Sequence, residues 1–222
     1  MAKPTVGAWK KLNRLARYLH AHPRTVIDYP WQGHEEEIEG FSDSDWAGCR
    51  KTGKSTSGGI IKIGEHFIKG WSKTQSSITL SSAEAELVAM CKLAAEVLGL
   101  GSLARDLGKD KKAVLVADSS AAIAISKRRG SGKLRHINIG TLWIQEKTEQ
   151  GEITVKKVKG VSNPSDMMTN NVSREKMQNY MQMIRQKSVH GRAQEGLRLK
   201  RQGPKGSVPE AEVLSSNRDG TP

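Results

Sequence analysis

Two cysteines in 222 residues, Cys49 and Cys91, are too few for a disulfide framework or a cysteine-rich zinc module. They fit a reduced, intracellular setting, in the cytoplasm or the nucleus. Aromatic residues are scarce at 5% and hydrophobic residues make up 36%, so part of the chain is expected to stay unpacked. Unbroken apolar stretches such as Ala113–Ala117 reach about five residues, against the roughly 18 that a membrane span needs. Met1–His20 has no apolar core of the kind a secretory signal carries. No membrane partner is expected. Acids are the other shortage: 23 Asp and Glu against 36 Lys and Arg leave a net charge of +13. That imbalance points to a polyanionic partner, most simply nucleic acid, although a basic tail without a partner would give the same sum. At this length one core buries roughly 70% of the unfolded chain's surface, so a single domain with attachments needs no covalent staple.

Charge and periodicity divide the chain. Met1–Arg24 holds bases and no acid, while the stretch 28–39 is acidic. Bases return at Lys127–Arg135, at Lys156–Lys159 and in the tail. A helix is predicted over Gly7–His22, where Trp9, Leu12, Leu15, Ala16 and Leu19 recur at spacings of three and four. Lys10, Lys11, Arg14 and Arg17 take its other face and Pro23 ends it. A short strand is predicted at Thr25–Tyr29, and Ile38–Asp45 alternates as a second. Gly58–Ile63 and His66–Trp71 flank Gly64-Glu65 as a hairpin. Ser81–Leu107 reads as one long helix, with Ser81 or Ser82 as its cap and Glu84 at the capping-box position. A buried strand at Ala113–Ala117, a helix at Ser119–Lys127, a helix at about His136–Thr148 and a strand at Glu152–Lys159 follow. Asn163-Pro164 opens another helix, and Arg174–Lys187 is a last amphipathic one carrying Met177, Tyr180, Met181 and Ile184. The order predicts an α/β fold: a mixed five-stranded sheet, three antiparallel strands then parallel ones, flanked by helices. The domain is expected at 25–188, with a leading helix at 1–24 and a disordered basic tail at 189–222.

Four acids stand at element ends. Asp43 is on the strand after Phe41-Ser42, Glu86 in the first turns of the long helix, Asp118 directly after Ala113–Ala117, and Asp166 near Asn163-Pro164. In open α/β sheets, sites gather at strand ends and adjoining helix starts. Acids converging there repel one another and require cations, and oxygen ligands select Mg²⁺ or Mn²⁺ over Zn²⁺. Taken singly, Glu86 could be a solvated helix residue, and Asp118 or Asp166 a helix cap.

The blocks Ser42–Gly48 (SDSDWAG), Lys54–Gly59 (KSTSGG), Trp71–Gln75 (WSKTQ) and Leu80–Leu87 (LSSAEAEL) occur in that order. Ala117–Ile123 (ADSSAAI), Arg135–Ile139 (RHINI) and Ser165–Thr169 (SDMMT) follow. Together they resemble the RNase H domain of copia-type retrotransposon Pol polyproteins, over roughly Trp9 to Ile184. The resemblance implies an RNase H fold and an endonuclease that hydrolyses the RNA strand of RNA–DNA hybrids. It implies that Asp43, Glu86, Asp118 and Asp166 take the four catalytic, metal-holding places, with two Mg²⁺ ions (or Mn²⁺) as cofactors. It also implies that the leading helix joins a reverse transcriptase part of the same polyprotein, the expected partner beside the hybrid. Glu84 lies two residues from Glu86, so on a helix it points about 200° away and cannot share the site. Asp45 shares a strand face with Asp43. Asn138 stands where the family often has an acid, Met167–Val172 departs from the usual Phe-Thr-Lys-Pro-Leu ending, and Gly160–Ser165 has no histidine. These departures keep a second reading open, a nucleic-acid-binding module of the same fold whose cleavage has decayed.

Gly48–Ser55 matches the phosphate-loop pattern G-x₄-G-K-[ST] letter for letter. That chemistry needs a helix starting at the Lys-Ser, so that backbone N–H groups cradle phosphate. Glycines and β-branched residues follow instead, so no nucleotide partner is expected. Cys49 and Cys91 are expected to be ordinary residues, Trp46 and Trp71 to pack in the core, and His136 to pack or cap.

Overall fold

The computed structural model describes residues 5–132, 137 and 139–191. Five strands form the main sheet: β2 (Glu37–Asp45), β3 (Thr56–Ile63), β4 (His66–Thr74), β5 (Lys112–Ala117) and β6 (Ile153–Lys157). Their order is β4-β3-β2-β5-β6. The first three are antiparallel neighbours; β5 runs parallel to β2, and β6 parallel to β5. The mixed sheet expected from the sequence is the one observed.

Helix α2 (Ser82–Asp106) covers one face of this sheet. Leu87, Met90, Leu93 and Val97 on α2 bury against Ile38, Ile61 and Leu115 of the strands. Gly40 makes the approach possible, because a Cβ there would meet Val97 Cγ2 at 2.7 Å and Leu93 Cδ1 at 2.8 Å. Helices α3 (Ser120–Ser126) and α4 (Ile139–Glu149) extend the same core through Ile123, Ile125 and Ile144. By length and composition α2 could cross a membrane, which the count of unbroken apolar runs did not suggest. Its Ala, Leu, Val and Gly residues are interrupted by few charges rather than by none. Here it is the core helix, with Leu87, Met90, Leu93 and Ala94 wholly buried.

The ends of the chain differ from expectation. The last amphipathic helix, α6 (Arg174–Met183), stops four residues before Lys187. Arg185 turns with φ +52°, and a strand, β7 (Gln186–Val189), follows. It pairs antiparallel with β1 (Arg24–Ile27), from Arg24↔Val189 to Ile27↔Gln186. Thus β1 belongs to a separate two-stranded sheet, and regular structure runs to Val189. The tail expected to be disordered lies, from residue 192 on, outside the described residues, as do His136 and Asn138. Helix α1 (Val6–Ala21) is capped by Thr5, whose hydroxyl accepts from the Ala8 N–H at 3.1 Å. No residue of α1 is buried: Trp9, Leu12, Leu15 and Leu19 remain 43–61% exposed.

The segment Gly48–Ser55 turns the chain from β2 into its antiparallel neighbour β3, and no helix starts at Lys54. The Lys54 ammonium donates instead to the Ser76 carbonyl at 2.7 Å. Gly48–Ser55 therefore lacks the strand-to-helix turn that phosphate-loop chemistry requires.

Candidate active site

Asp43 lies near the C-terminal end of β2, and Asp118 directly follows β5, the parallel neighbour of β2. Parallel strands end at the same edge of a sheet, so both carboxylates arrive there. Glu86 joins them from the second turn of α2. One carboxylate oxygen each from Asp43, Glu86 and Asp118 lie within 4.8 Å of one another. Asp43 and Glu86 are buried, at 7% and 8% exposure, and Asp118 is half-buried.

The charged forms are disfavoured together. Burial, with Asp118, Asp166 and Asp45 nearby, pushes Asp43 up to about 6 against the help of the Thr169 hydroxyl. Burial and then Asp43 push Glu86 up to about 8, although the Ser44 N–H opposes this. Asp118 is raised as well, by burial first and then by Asp166, with Lys157 pulling the other way. Glu86 Oε1 accepts from the Ser44 N–H at 3.1 Å, whereas Glu86 Oε2 is buried with no partner. An all-oxygen cluster that resists its own charge and keeps an orphaned carboxylate oxygen fits a hard divalent cation.

Asp166 stands beside this trio as the first residue of α5 (Asp166–Thr169), after a 3₁₀ turn at Gly160–Ser162. Its Oδ1 accepts from Asn170 Nδ2 at 2.9 Å and its Oδ2 from the Tyr180 hydroxyl at 3.0 Å. Asn170 Nδ2 also reaches Asp43 Oδ2 at 3.3 Å, and the Thr169 hydroxyl donates to the same oxygen. Burial, followed by the bond to Asp166, pushes the Tyr180 hydroxyl up to about 12, so it remains a donor. Asn163, expected to open the helix, instead ties it down: its Nδ2 donates to the Ser42 carbonyl at 2.9 Å. Asp118 is not a cap, because Ser119 caps α3 by accepting from the Ala122 N–H.

Gly58, in the Lys54–Gly59 block, sets the distance between sheet and α5. A Cβ on Gly58 would lie 2.7 Å from Thr169 Cγ2, 2.8 Å from Met168 Cβ and 3.0 Å from the Ser165 carbonyl oxygen. Gly58→Ala should therefore push α5 off β3 and carry Thr169 away from Asp43. The expected cost is about 1–3 kcal/mol, read as a lower Tm, together with weaker divalent-ion binding.

Glu84 is buried for another purpose. Its Oε2 accepts from the Leu80 N–H at 2.7 Å while its own N–H donates to Ser81 Oγ at 3.2 Å, the reciprocal bonding of a helix cap. Glu84→Ala should lower stability by about 1 kcal/mol in thermal melts and leave divalent-ion binding unchanged. Asp45 likewise holds a turn: it accepts from the Thr56 N–H, and its Oδ2 fills the space where a Gly48 Cβ would be. Trp71 packs against the core over Gly59. Trp46 does not; it is 52% exposed, its indole N–H donating to the Thr79 carbonyl at 3.1 Å. A strand that has reached its last residue leaves Trp46 no neighbouring strand to bury against. Cys91 donates to the Thr141 carbonyl at 2.9 Å, and burial pushes its thiol up to about 12.

Thr169, Asn170 and Tyr180 carry no sequence signal of their roles. Tyr180 reads as part of an apolar stripe, and only the fold shows that its hydroxyl meets an acid 14 residues away.

A mixed sheet in this order, with acids converging from β2, α2 and the end of β5 and a fourth from α5, defines an α/β fold with a candidate divalent-metal centre. Over 180 residues, 80% of the chain, the sequence is 28% identical to the retrovirus-related Pol polyprotein from transposon TNT 1-94 of Nicotiana tabacum. Over 187 residues, 83% of the chain, it is 29% identical to the corresponding polyprotein from transposon RE2 of Arabidopsis thaliana. The chain spans 13% of the length of each. Among solved structures, LC11-RNase H1 isolated from compost superposes with a TM-score of 0.45 at 14% identity, covering 61% of this chain and 94% of that one. No protein-family model matches the chain. The homologues of this chain are thus retrovirus-related Pol polyproteins of copia-type transposons, and it is similar to a short part of their length.

Proposed function

We propose that the chain is a ribonuclease H, an endonuclease that hydrolyses the RNA strand of RNA–DNA hybrids with two divalent cations. The observation that carries this reading is the cluster of Asp43, Glu86 and Asp118 with its orphaned Glu86 oxygen. Divalent cations held there supply charge neutralisation at the scissile phosphate and a water of lowered pKa. Asp118 and Asp166 both press on the charge of Asp43, so Asp43 would help hold both cations. Glu86 and Asp118 would hold the cation that stabilises the leaving 3′ oxygen, and Asp166 would help hold the one that activates the attacking water. Lys157 and the exposed Lys127 and Arg129 can grip phosphates, which makes binding depend on salt. The 2′-hydroxyls of the RNA strand supply the distinction from DNA.

The test is cleavage of an end-labelled RNA–DNA hybrid by the purified chain in Mg²⁺, in Mn²⁺ and in chelator. Internal cuts confined to the RNA strand and lost with chelator support the proposal. Hybrid binding without any metal-dependent cut would replace it with the binding-module reading.

The uncovered stripe of α1 fits the expected reverse transcriptase partner. Because α1 buries no side chain, deletion of Val6–Ala21 should raise solubility while shifting Tm by less than about 3 °C. A large fall in Tm would mean that the helix stabilises its own domain.

A further inference from the structure

Asp166 begins a helix of four residues. One turn fixes little by itself, since the first hydrogen bond of a helix barely offsets the ordering it requires. Something else must hold this carboxylate in place. The Tyr180 ring, on α6, is 1% exposed, and packing explains the ring. Packing does not explain the hydroxyl. Its one proton has two acceptors in reach, the Gly160 carbonyl oxygen at 3.1 Å and Asp166 Oδ2 at 3.0 Å, and the carboxylate, being charged, is the stronger acceptor. Gly160 in turn abuts the third acid, because a Cβ there would lie 3.1 Å from Asp118 Oδ2. From the opposite side one amide, Asn170 Nδ2, reaches both Asp166 Oδ1 and Asp43 Oδ2. Asp166 therefore has a donor on each oxygen, from two different elements, and one of those donors ties it to the centre of the cluster.

We propose that Tyr180 and Asn170 are positioning residues that clamp Asp166 by both oxygens, presetting it toward Asp43 so that little ordering remains when a divalent ion binds. The consequence for catalysis rests on the nuclease reading above; the consequence for ion binding does not. Donors behind a metal ligand orient it, and losing one typically weakens metal affinity by about 10–100-fold. The clamp thus acts before any substrate arrives, through the ordering cost of binding.

The experiment uses the full chain and Mn²⁺ alone as the probe, with binding followed by electron paramagnetic resonance in the absence of nucleic acid. Tyr180→Phe keeps the ring and removes the donor. Its Mn²⁺ affinity is expected to fall about tenfold or more, while Tm in chelator moves by less than about 3 °C. With hybrid, kcat should fall and KM stay unchanged. Asn170→Ala, at an exposed position, should act in the same direction and carries the test if Tyr180→Phe folds poorly. Asn170→Gln should restore part of the loss. Parent-like Mn²⁺ affinity in both Tyr180→Phe and Asn170→Ala would overturn the clamp, as would a parent chain that takes up no Mn²⁺. If the variants lose Mn²⁺ while no chain cuts hybrid, the clamp stands and the nuclease reading fails. If the parent cuts and the variants bind and cut equally well, the reverse holds.

Discussion

Asp43→Asn should abolish metal-dependent cleavage of an RNA–DNA hybrid, by roughly 10³-fold or more, while leaving hybrid binding in chelator within about threefold of the parent. Asp43 is the carboxylate on which the others converge: the Thr169 hydroxyl and the Asn170 amide both donate to it, and Asp118, Asp166 and Asp45 all press on its charge. An amide keeps the shape and one oxygen but removes the charge that a cation would neutralise. No phosphate contact is deleted, so affinity for the duplex should survive. Cleavage is followed on a denaturing gel, binding by fluorescence anisotropy. An Asp43→Asn protein that cuts at even a tenth of the parent rate would place the chemistry elsewhere.

The second large effect concerns stability without metal. Glu86 holds its proton up to about 8 in the folded chain, against an ordinary 4.5. Between those values the folded state binds a proton that the unfolded state has released, so stability must fall as pH rises through the window. Asp43 adds a smaller total loss, between 3.8 and about 6. The chelated protein should therefore melt higher at pH 5 than at pH 8. Glu86→Gln cannot ionise and should remove most of the difference. At pH 8 in chelator it should be more stable than the parent by on the order of 3 kcal/mol, or roughly 5–10 °C in Tm. Mg²⁺ should close the gap from the other side, stabilising the parent more at pH 8 than at pH 5 and stabilising Glu86→Gln little. Parallel melting curves for parent and variant across this pH range would show that Glu86 is not a buried, charge-strained acid.

The sheet was legible because its strands carry local marks: alternation in Glu37–Asp45, the hairpin glycine between β3 and β4, the apolar run of β5, and Ile153 and Val155 in β6. Helical periodicity alone separated Glu86 from Glu84, and the structure gives these neighbours different partners, the Ser44 N–H and the Leu80 N–H. What stayed hidden depends on long-range partners. Strands of four residues such as β1 and β7 are too short to announce a pairing across more than 160 positions. The apolar stripe that predicted α6 runs on through Ile184, but the helix ends where Arg185 turns left-handed. Among the side chains, acids at strand ends advertise themselves, whereas Thr169, Asn170 and Tyr180 are ordinary residues until a carboxylate is brought to them.

The pairing of β1 with β7 also has a mechanical meaning. Arg24, the first residue of one strand, lies opposite Val189, the last of the other, so the segments flanking this pair emerge at neighbouring points. A pull on those two flanks would load the ladder at its open end and peel it apart one pair at a time. The tension would be spent on four residue pairs before it reached β2 or the acids at its tip. Under such a load the two-stranded clasp would serve as a sacrificial zip that leaves the acidic cluster undisturbed.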